Sequence, residues 1–134
     1  MSQENVEIVR AAFEQMNRRD WAAVMSAYDG NVVLVVNEGA APDTGIFRGR
    51  EAVGRWFGEW FLAFDKDYRF ELEEARSVGD RVLTVARHHG HGRSSGAEVE
   101  WANAHVFSVR GGKIVQLELY GSRTEALKAV GLEE

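Results

Sequence analysis

The second half of this chain alternates apolar and polar side chains with a period of two residues, and this pattern constrains the fold more than any other feature. Successive side chains of a β-strand point to opposite faces, so such alternation predicts strands with one face toward a core. The alternating segments are YRFELEEA (68–75), RVLTVARHHGH (81–91), EVEWANAHVFSV (98–109) and KIVQLELYGS (113–122). The stretches between them, SVGD, RSSGA and RGG, contain the residues that tight turns need. The pattern predicts four consecutive strands of an antiparallel sheet.

Helical spacing dominates the first half. Apolar residues recur every three or four positions from Val6 to Met16, and Asp20 is a suitable N-cap for a second helix, WAAVMSAYD. A third helix is predicted from about Arg50 to Phe64, with a broad aromatic stripe. The stripe consists of Trp56, Phe57, Trp60, Phe61 and Phe64.

Two further segments complete the pattern. The β-branched run NVVLVVNE (31–38) predicts a strand covered on both faces, and GAAPDTGIF (39–47) predicts a loop. Near the C-terminus, Ser122 and Glu125 form a capping box for a short helix that stops at Gly131. Helices followed by consecutive strands predict an α+β fold, with three N-terminal helices packed on one face of the sheet. We expect residues 1–134 to form a single domain.

Charge and composition exclude several classes of function. The net charge is −5, which disfavours a nucleic-acid groove, because phosphate binding needs clustered Lys and Arg. The chain has no cysteine, so disulfides and thiolate chemistry are excluded. The sequence shows neither an apolar run of membrane-spanning length nor the apolar core of a signal peptide. We therefore expect a cytoplasmic protein that binds neither membranes nor nucleic acid.

The turn between the second and third alternating segments determines which side chains share a face. A three-residue SSG loop would pair Arg93 with Ala97, and therefore place Arg87 opposite Asn103. This register joins two bulky faces. They are Leu83, Val85, Arg87 and His89 on one strand, and Trp101, Asn103, His105 and Phe107 on the next.

The last strand has two possible registers. A two-residue turn at 111–112 would place Gln116, Glu118 and Tyr120 beside His105. A three-residue RGG loop would place Val115, Leu117 and Leu119 there instead. The apolar set suits an enclosed face better, which favours the longer loop.

These faces predict one apolar pocket with a few polar groups, the usual form of a small-molecule site. The predicted ligand-binding residues are Trp56, Trp60, Val85, Arg87, His89, Trp101, Asn103, His105, Phe107 and Leu119. His105 is the candidate catalytic residue, because an imidazole can hold or move a proton near neutral pH.

A metal site is the other interpretation of the histidine-rich HHGH segment. His89 and His91 share a strand face, and His105 could join them, but His88 points the other way and no carboxylate clearly completes the set. We therefore expect no bound metal and no cofactor.

Three phrases of the sequence resemble the SnoaL-like group of the nuclear transport factor 2-like superfamily. They are MNRRDWAAVMSAYDGNVVL (16–34), GIFRGREAVGRWF (45–57) and HVFSVRGGKIVQLELYGSRTEAL (105–127). The resemblance implies a cone-shaped fold, as in ketosteroid isomerases, in which a curved sheet wraps around the helices and leaves one deep apolar pocket. It also implies a homodimer through the outer sheet face. The small and apolar Ala102, Ala104 and Val106 suit such an interface.

The group includes isomerases, polyketide cyclases and epoxide hydrolases, so the resemblance leaves the reaction open. His105 resembles the position where ketosteroid isomerases keep a protonated aspartic acid, but Val36 stands where they keep their base. Three functions follow. The first is binding of an apolar ligand with a polar or anionic end. The second is an isomerase, cyclase or hydratase that uses His105 as acid or base, with Arg87 and Asn103 orienting the substrate. The third is a dimeric interaction module without a ligand.

Overall fold

The computed structural model describes residues 2–132. The elements, in chain order, are α1 (Ser2–Asn17), α2 (Trp21–Ser26), β1 (Tyr28–Val36), β2 (Gly45–Arg48), α3 (Arg50–Leu62), β3 (Arg69–Val78), β4 (Arg81–His91), β5 (Glu98–Arg110), β6 (Lys113–Tyr120) and α4 (Arg123–Ala129). The predicted α+β class is confirmed. Two predicted caps are present, since the Asp20 carboxylate accepts from Ala23 N–H and the Ser122 hydroxyl accepts from Glu125 N–H.

The strands form one open sheet in the order β2-β1-β6-β5-β4-β3. β1 runs parallel to β6, and the other neighbours are antiparallel. Bulges interrupt β3 between Leu72 and Glu74 and β6 between Ile114 and Gln116. Such bulges bend a strand and increase its twist, which suits a sheet that wraps around helices. The main core lies between the sheet and the helices α1 and α3.

Two predictions for the segment around β1 are wrong. The segment predicted as a loop contains the short strand β2, where Ile46 and Phe47 pair with Val35 and Leu34. β1 is also covered fully on one face only. Leu34 and its neighbours two residues away are buried, whereas the alternate residues, such as Val35, are half-buried.

The predicted register of β4 and β5 is wrong by one residue. His88 lies opposite Trp101, Ala86 opposite Asn103 and Thr84 opposite His105. The reason lies in the loop: Gly92 N–H donates to Ala97 O, while Arg93 N–H donates to Ala63 O just beyond α3. Arg93 is thus held by α3 and does not pair with Ala97. Because side chains alternate along a strand, the shift moves Val85, Arg87 and His89 to the outer face.

The last turn combines features of both predicted registers. β5 and β6 are joined by a two-residue turn, with Arg110 opposite Lys113 and positive φ at both glycines between them (59° and 78°). The three-residue loop is therefore wrong. However, a bulge at Val115 in β6 shifts the pairing by one residue, so that Leu117 lies opposite Phe107 and Leu119 opposite His105. Leu117 and Leu119 of the favoured apolar set line the inner face, whereas Val115 is the unpaired residue of the bulge.

The outer face of β4 and β5 is covered by α4. This second apolar cluster contains Leu83, Val85, Ala104, Val106, Ala126, Leu127 and Val130. Arg123 anchors the helix through its guanidinium Nε, 2.7 Å from the Glu74 carboxylate on β3. Ala104 and Val106 are fully buried within the chain. The prediction that they form a dimer interface is therefore wrong. In the part of the chain that the structure describes, no helix is long and apolar enough to cross a membrane.

Candidate functional site

A small apolar cavity lies between α1, α3 and the inner face of the sheet. Its volume is about 50 Å³, by a measure in which one buried water needs roughly 10–15 Å³. Six of the predicted ligand-binding residues line it: Trp56, Trp60, Asn103, His105, Phe107 and Leu119. Phe57 and Phe61 of the aromatic stripe and Leu117 of the last strand also line it. Trp56 and Trp60 are half-buried, and therefore lie where the cavity approaches the surface.

The other predicted residues lie elsewhere. Val85 packs under α4, and Arg87 forms ion pairs on the outer face with Glu73 (3.0 Å) and Glu100 (3.6 Å). His89 is 3.0 Å from Glu71 on the same face. The shifted register of β4 is the cause in all three cases. None of the three lines the cavity.

Trp101 is on the inner face but outside the cavity lining. Its indole stacks on the imidazole of His88, with ring centroids 4.2 Å apart and planes inclined by 4°. Trp101 therefore holds a lining residue in place.

The histidines of the HHGH segment are separated by the sheet. His88 lines the cavity, whereas His89 and His91 pair on the outside with Glu71 and Asp67. The Asp67 carboxylate raises the pKa of His91 above its usual value. Among residues 2–132, no three His, Cys, Asp or Glu side chains are grouped so that they could hold a metal ion.

A chain of hydrogen bonds runs from α3 to β5 along the cavity wall. The Trp60 indole N–H donates to the Tyr68 hydroxyl oxygen at 2.7 Å. The same hydroxyl is 2.7 Å from His88 Nδ1, and His88 Nε2 is 2.7 Å from Asn103 Oδ1. Burial lowers the pKa of His88 to about 4, so its imidazole is neutral at pH 7.

His105 is the second buried histidine of the wall. Its Nδ1 is 2.9 Å from the Thr84 hydroxyl, and its ring packs against Phe13 and Phe107. No partner of Nε2 is found among the described residues. Burial lowers the pKa of His105 to about 3. The imidazole is therefore neutral at pH 7, with a free nitrogen in a residue that lines the cavity.

Tyr28 is a third polar lining residue. It is 1% exposed, and no hydrogen-bond partner of its hydroxyl is found among the described residues. Burial raises its pKa, so the phenol stays protonated. None of the described residues that line the cavity has a carboxylate or a cationic side chain. The cavity is thus an uncharged, mainly aromatic space with a few polar groups.

Sequence reasoning missed several lining residues, and His88 is the most important of them. The others include Ala12, Phe13, Met16, Tyr28 and Phe70. One signal could have identified His88. The face it shares with Thr84 and Ala86 has small side chains, and small side chains beneath helices leave room for a cavity.

Comparison with known proteins identifies the family and the fold. A sequence model of the SnoaL-like domain matches residues 9–117. An NTF2-like protein from Burkholderia thailandensis E264 is 30% identical, with 90% of each chain aligned and a TM-score of 0.72. No curated protein matches the chain significantly in sequence.

Two other solved structures share the fold at lower identity. A putative SnoaL-like polyketide cyclase from Jannaschia sp. CCS1 has a TM-score of 0.80 and 17% identity, over 90% of this chain and 86% of that one. A protein with a ketosteroid isomerase-like fold from Catenulispora acidiphila DSM 44928, solved in complex with trimethylamine, has a TM-score of 0.74 and 21% identity. Here 94% of this chain and 93% of that one are aligned.

Proposed function

The chain belongs to the SnoaL-like domain family, and from this premise we propose that it binds a compact, uncharged and mostly apolar small molecule with one polar group. The ligand would occupy the cavity between α1, α3 and the sheet. The single observation that carries this proposal is the lining: aromatic walls enclose His105 and Asn103, whose side chains retain polar atoms without a protein partner. Apolar walls with a few placed polar groups are typical of small-molecule sites.

The polar end of the ligand is uncharged in this proposal. The sequence left a polar or an anionic end open, but Arg87, the predicted cationic residue of the site, is on the outer face and is paired with Glu73 and Glu100. A charged group in the cavity would lose its hydration without gaining a counter-ion. A neutral polar group instead loses little, because it can exchange water for a hydrogen bond.

The cavity size favours a compact ligand. A volume of about 50 Å³ holds only a few waters by the measure given above. A ligand of steroid size would require Trp56 or Trp60 to move.

Binding is favoured over proton transfer by the state of the two histidines. A general base works best when its pKa is near the working pH. Burial holds the pKa values of His88 and His105 at about 4 and about 3, and no carboxylate among the described residues lines the cavity. Both imidazoles are therefore weak bases that suit hydrogen bonding to a ligand.

Nuclear magnetic resonance titration with cyclopentanone tests the proposal. The key variant is Ala12→Leu, because Ala12 lines the cavity and is 3% exposed, so a larger side chain there occupies the space. Ala11→Leu is the matched control on the same helix, since Ala11 is half-buried and does not line the cavity.

We expect the wild type and Ala11→Leu to bind cyclopentanone, with shifts at residues around the cavity. We expect Ala12→Leu to bind at least about tenfold more weakly, through steric exclusion. Amide spectra of each variant verify folding. Equal affinity in both variants, or no binding to the wild type at millimolar concentration, contradicts the proposal.

A further inference from the structure

We propose that the hydrogen-bond chain Trp60–Tyr68–His88–Asn103 has a single direction, which turns the amide nitrogen of Asn103 toward the cavity and makes the cavity select ligands with a hydrogen-bond acceptor. Trp60, Tyr68 and His88 are thus positioning residues for Asn103. This inference rests on the proposed function and names the chemical class of the ligand: a small carbonyl compound or a similar acceptor.

The direction begins at Trp60. An indole N–H can donate but cannot accept, so the Tyr68 oxygen must accept the 2.7 Å bond from Trp60. The remaining hydroxyl hydrogen of Tyr68 needs its own acceptor. Among the described contacts, the only acceptor for it is His88 Nδ1, at 2.7 Å.

The His88 imidazole then determines the direction of the next hydrogen bond. A neutral imidazole has one N–H, so a ring that accepts at Nδ1 must donate at Nε2. His88 Nε2 lies 2.7 Å from the Asn103 side chain, and the atom that receives this hydrogen must be the amide oxygen, Oδ1. The amide nitrogen of Asn103 is thereby left to point elsewhere.

The reverse direction is unfavourable. If His88 carried its hydrogen on Nδ1, the Tyr68 oxygen would accept two hydrogen bonds and its own hydroxyl hydrogen would have no acceptor. Tyr68 is 1% exposed, so water cannot easily replace that acceptor. A buried donor without a partner is disfavoured by about fivefold to more than a hundredfold in population.

The amide nitrogen of Asn103 is the donor that this direction leaves for a ligand. It lines the cavity and is 6% exposed, and no partner for its amide nitrogen is found among the described residues. Two N–H donors are therefore available to a ligand. A carbonyl oxygen accepts from one of them, whereas a ligand that can only donate leaves both unpaired.

Packing holds the chain in one geometry. Trp101 stacks on His88, and Gly90 allows Tyr68 to approach β4, since a Cβ at Gly90 would lie 2.8 Å from Tyr68 Cα. These contacts restrict rotation of the His88 and Tyr68 rings. The Asn103 amide is therefore positioned before a ligand arrives.

The first test measures the tautomer of His88 in the ligand-free protein. Protonated and unprotonated ring nitrogens resonate at well-separated nitrogen-15 frequencies, so a nitrogen-15 spectrum assigns the hydrogen directly. We expect the Nε2–H form. An Nδ1–H form overturns the inference, and it does so whether or not any ligand binds.

The second test compares two five-membered rings, cyclopentanone, which only accepts, and pyrrole, which only donates. We expect the wild type to bind cyclopentanone about tenfold more tightly than pyrrole. In Tyr68→Phe the hydroxyl that sets the direction is lost while the cavity lining is kept, so this ratio should fall to within about threefold. Tyr120→Phe is the matched control, because the Tyr120 hydroxyl bonds to Glu118 and takes no part in the hydrogen-bond chain. The affinity ratio of this variant should equal that of the wild type.

The outcomes separate the two proposals. A wild type that binds pyrrole as tightly as cyclopentanone, or a Tyr68→Phe variant that keeps the full ratio, overturns the ligand selectivity that we derive from the direction of the hydrogen-bond chain. Failure of both probes to bind overturns the proposed function and the ligand selectivity with it, while the tautomer still decides the direction of the chain.

Discussion

The two buried histidines determine how stability responds to mild acid. Burial lowers the pKa of His88 to about 4 and that of His105 to about 3, from 6.5 for the free side chain. Below pH 6.5 the unfolded chain therefore binds protons that the folded protein does not bind. The stabilisation is complete above pH 6.5 and is lost as the pH falls toward the folded-state values. We expect the free energy of unfolding to fall by about 2 to 4 kcal/mol between pH 7 and pH 5.

Urea denaturation at both pH values measures this loss. His105→Phe should reduce the difference in unfolding free energy between pH 7 and pH 5 by about half, because one buried imidazole remains. His91 opposes the trend, since Asp67 raises its pKa and so favours the folded state as the pH falls. A wild type that is equally stable at pH 7 and pH 5 would contradict the neutral state of the buried pair.

The Thr84–His105 pair provides a second prediction. His105→Phe keeps an aromatic ring between Phe13 and Phe107 but leaves the buried Thr84 hydroxyl without its 2.9 Å partner. We expect a loss of about 1–3 kcal/mol in the free energy of unfolding. Adding Thr84→Val should recover part of it, because the unpaired hydroxyl is removed. A double-mutant cycle by urea denaturation measures the coupling, and strictly additive effects would show that the pair contributes nothing.

Strand β4 depends on a close approach at Gly90. A Cβ there would lie 2.8 Å from Tyr68 Cα, so Gly90→Ala must push Tyr68 away from the sheet. We expect a destabilisation of about 1–3 kcal/mol, typical of overpacking. Gly58 in α3 is the contrasting glycine, since a Cβ there meets nothing within 4 Å. Gly58→Ala should stabilise by about 0.5–1 kcal/mol, through helix propensity. Thermal or urea unfolding measures both changes in stability. Equal effects of the two variants would contradict the close approach of Gly90 and Tyr68.

The oligomeric state is the prediction that concerns the whole molecule. We still expect a homodimer through the outer sheet face, although α4 covers the part of that face first considered. The outer side of β1 and β2 remains, where half-buried Val35 lies opposite Ile46, which is 58% exposed. Light scattering should give twice the chain mass for the wild type and the monomer mass for Val35→Glu. Arg55→Glu, on an exposed turn of α3, should remain dimeric. A monomeric wild type would contradict the prediction.

Local rules were sufficient for most of the elements. The capping hydroxyl of Ser122 acts on a backbone N–H three residues away, and the alternation in β5 places Trp101, Asn103, His105 and Phe107 on one face. These features depend on neighbours in the sequence. The α+β class and the family follow from them, because the order of helices and strands is itself a sequence property.

The identity of the cavity wall depended on contacts between distant residues. Arg93 N–H bonds to Ala63 O, 30 positions earlier in the sequence, and this contact sets the loop length and hence the face of β4. Because side chains alternate with a period of two, one residue of slip exchanges His88 for His89 at the cavity. The bond from Trp60 to Tyr68 and the bonds of His88 to Tyr68 and Asn103 likewise join three separate elements and the turn before β3. The amino-acid order specified strands and their alternation, but only the tertiary structure decided which histidine faces inward, because the loop after β4 bonds to the end of α3 and His88 bonds to Tyr68 and Asn103.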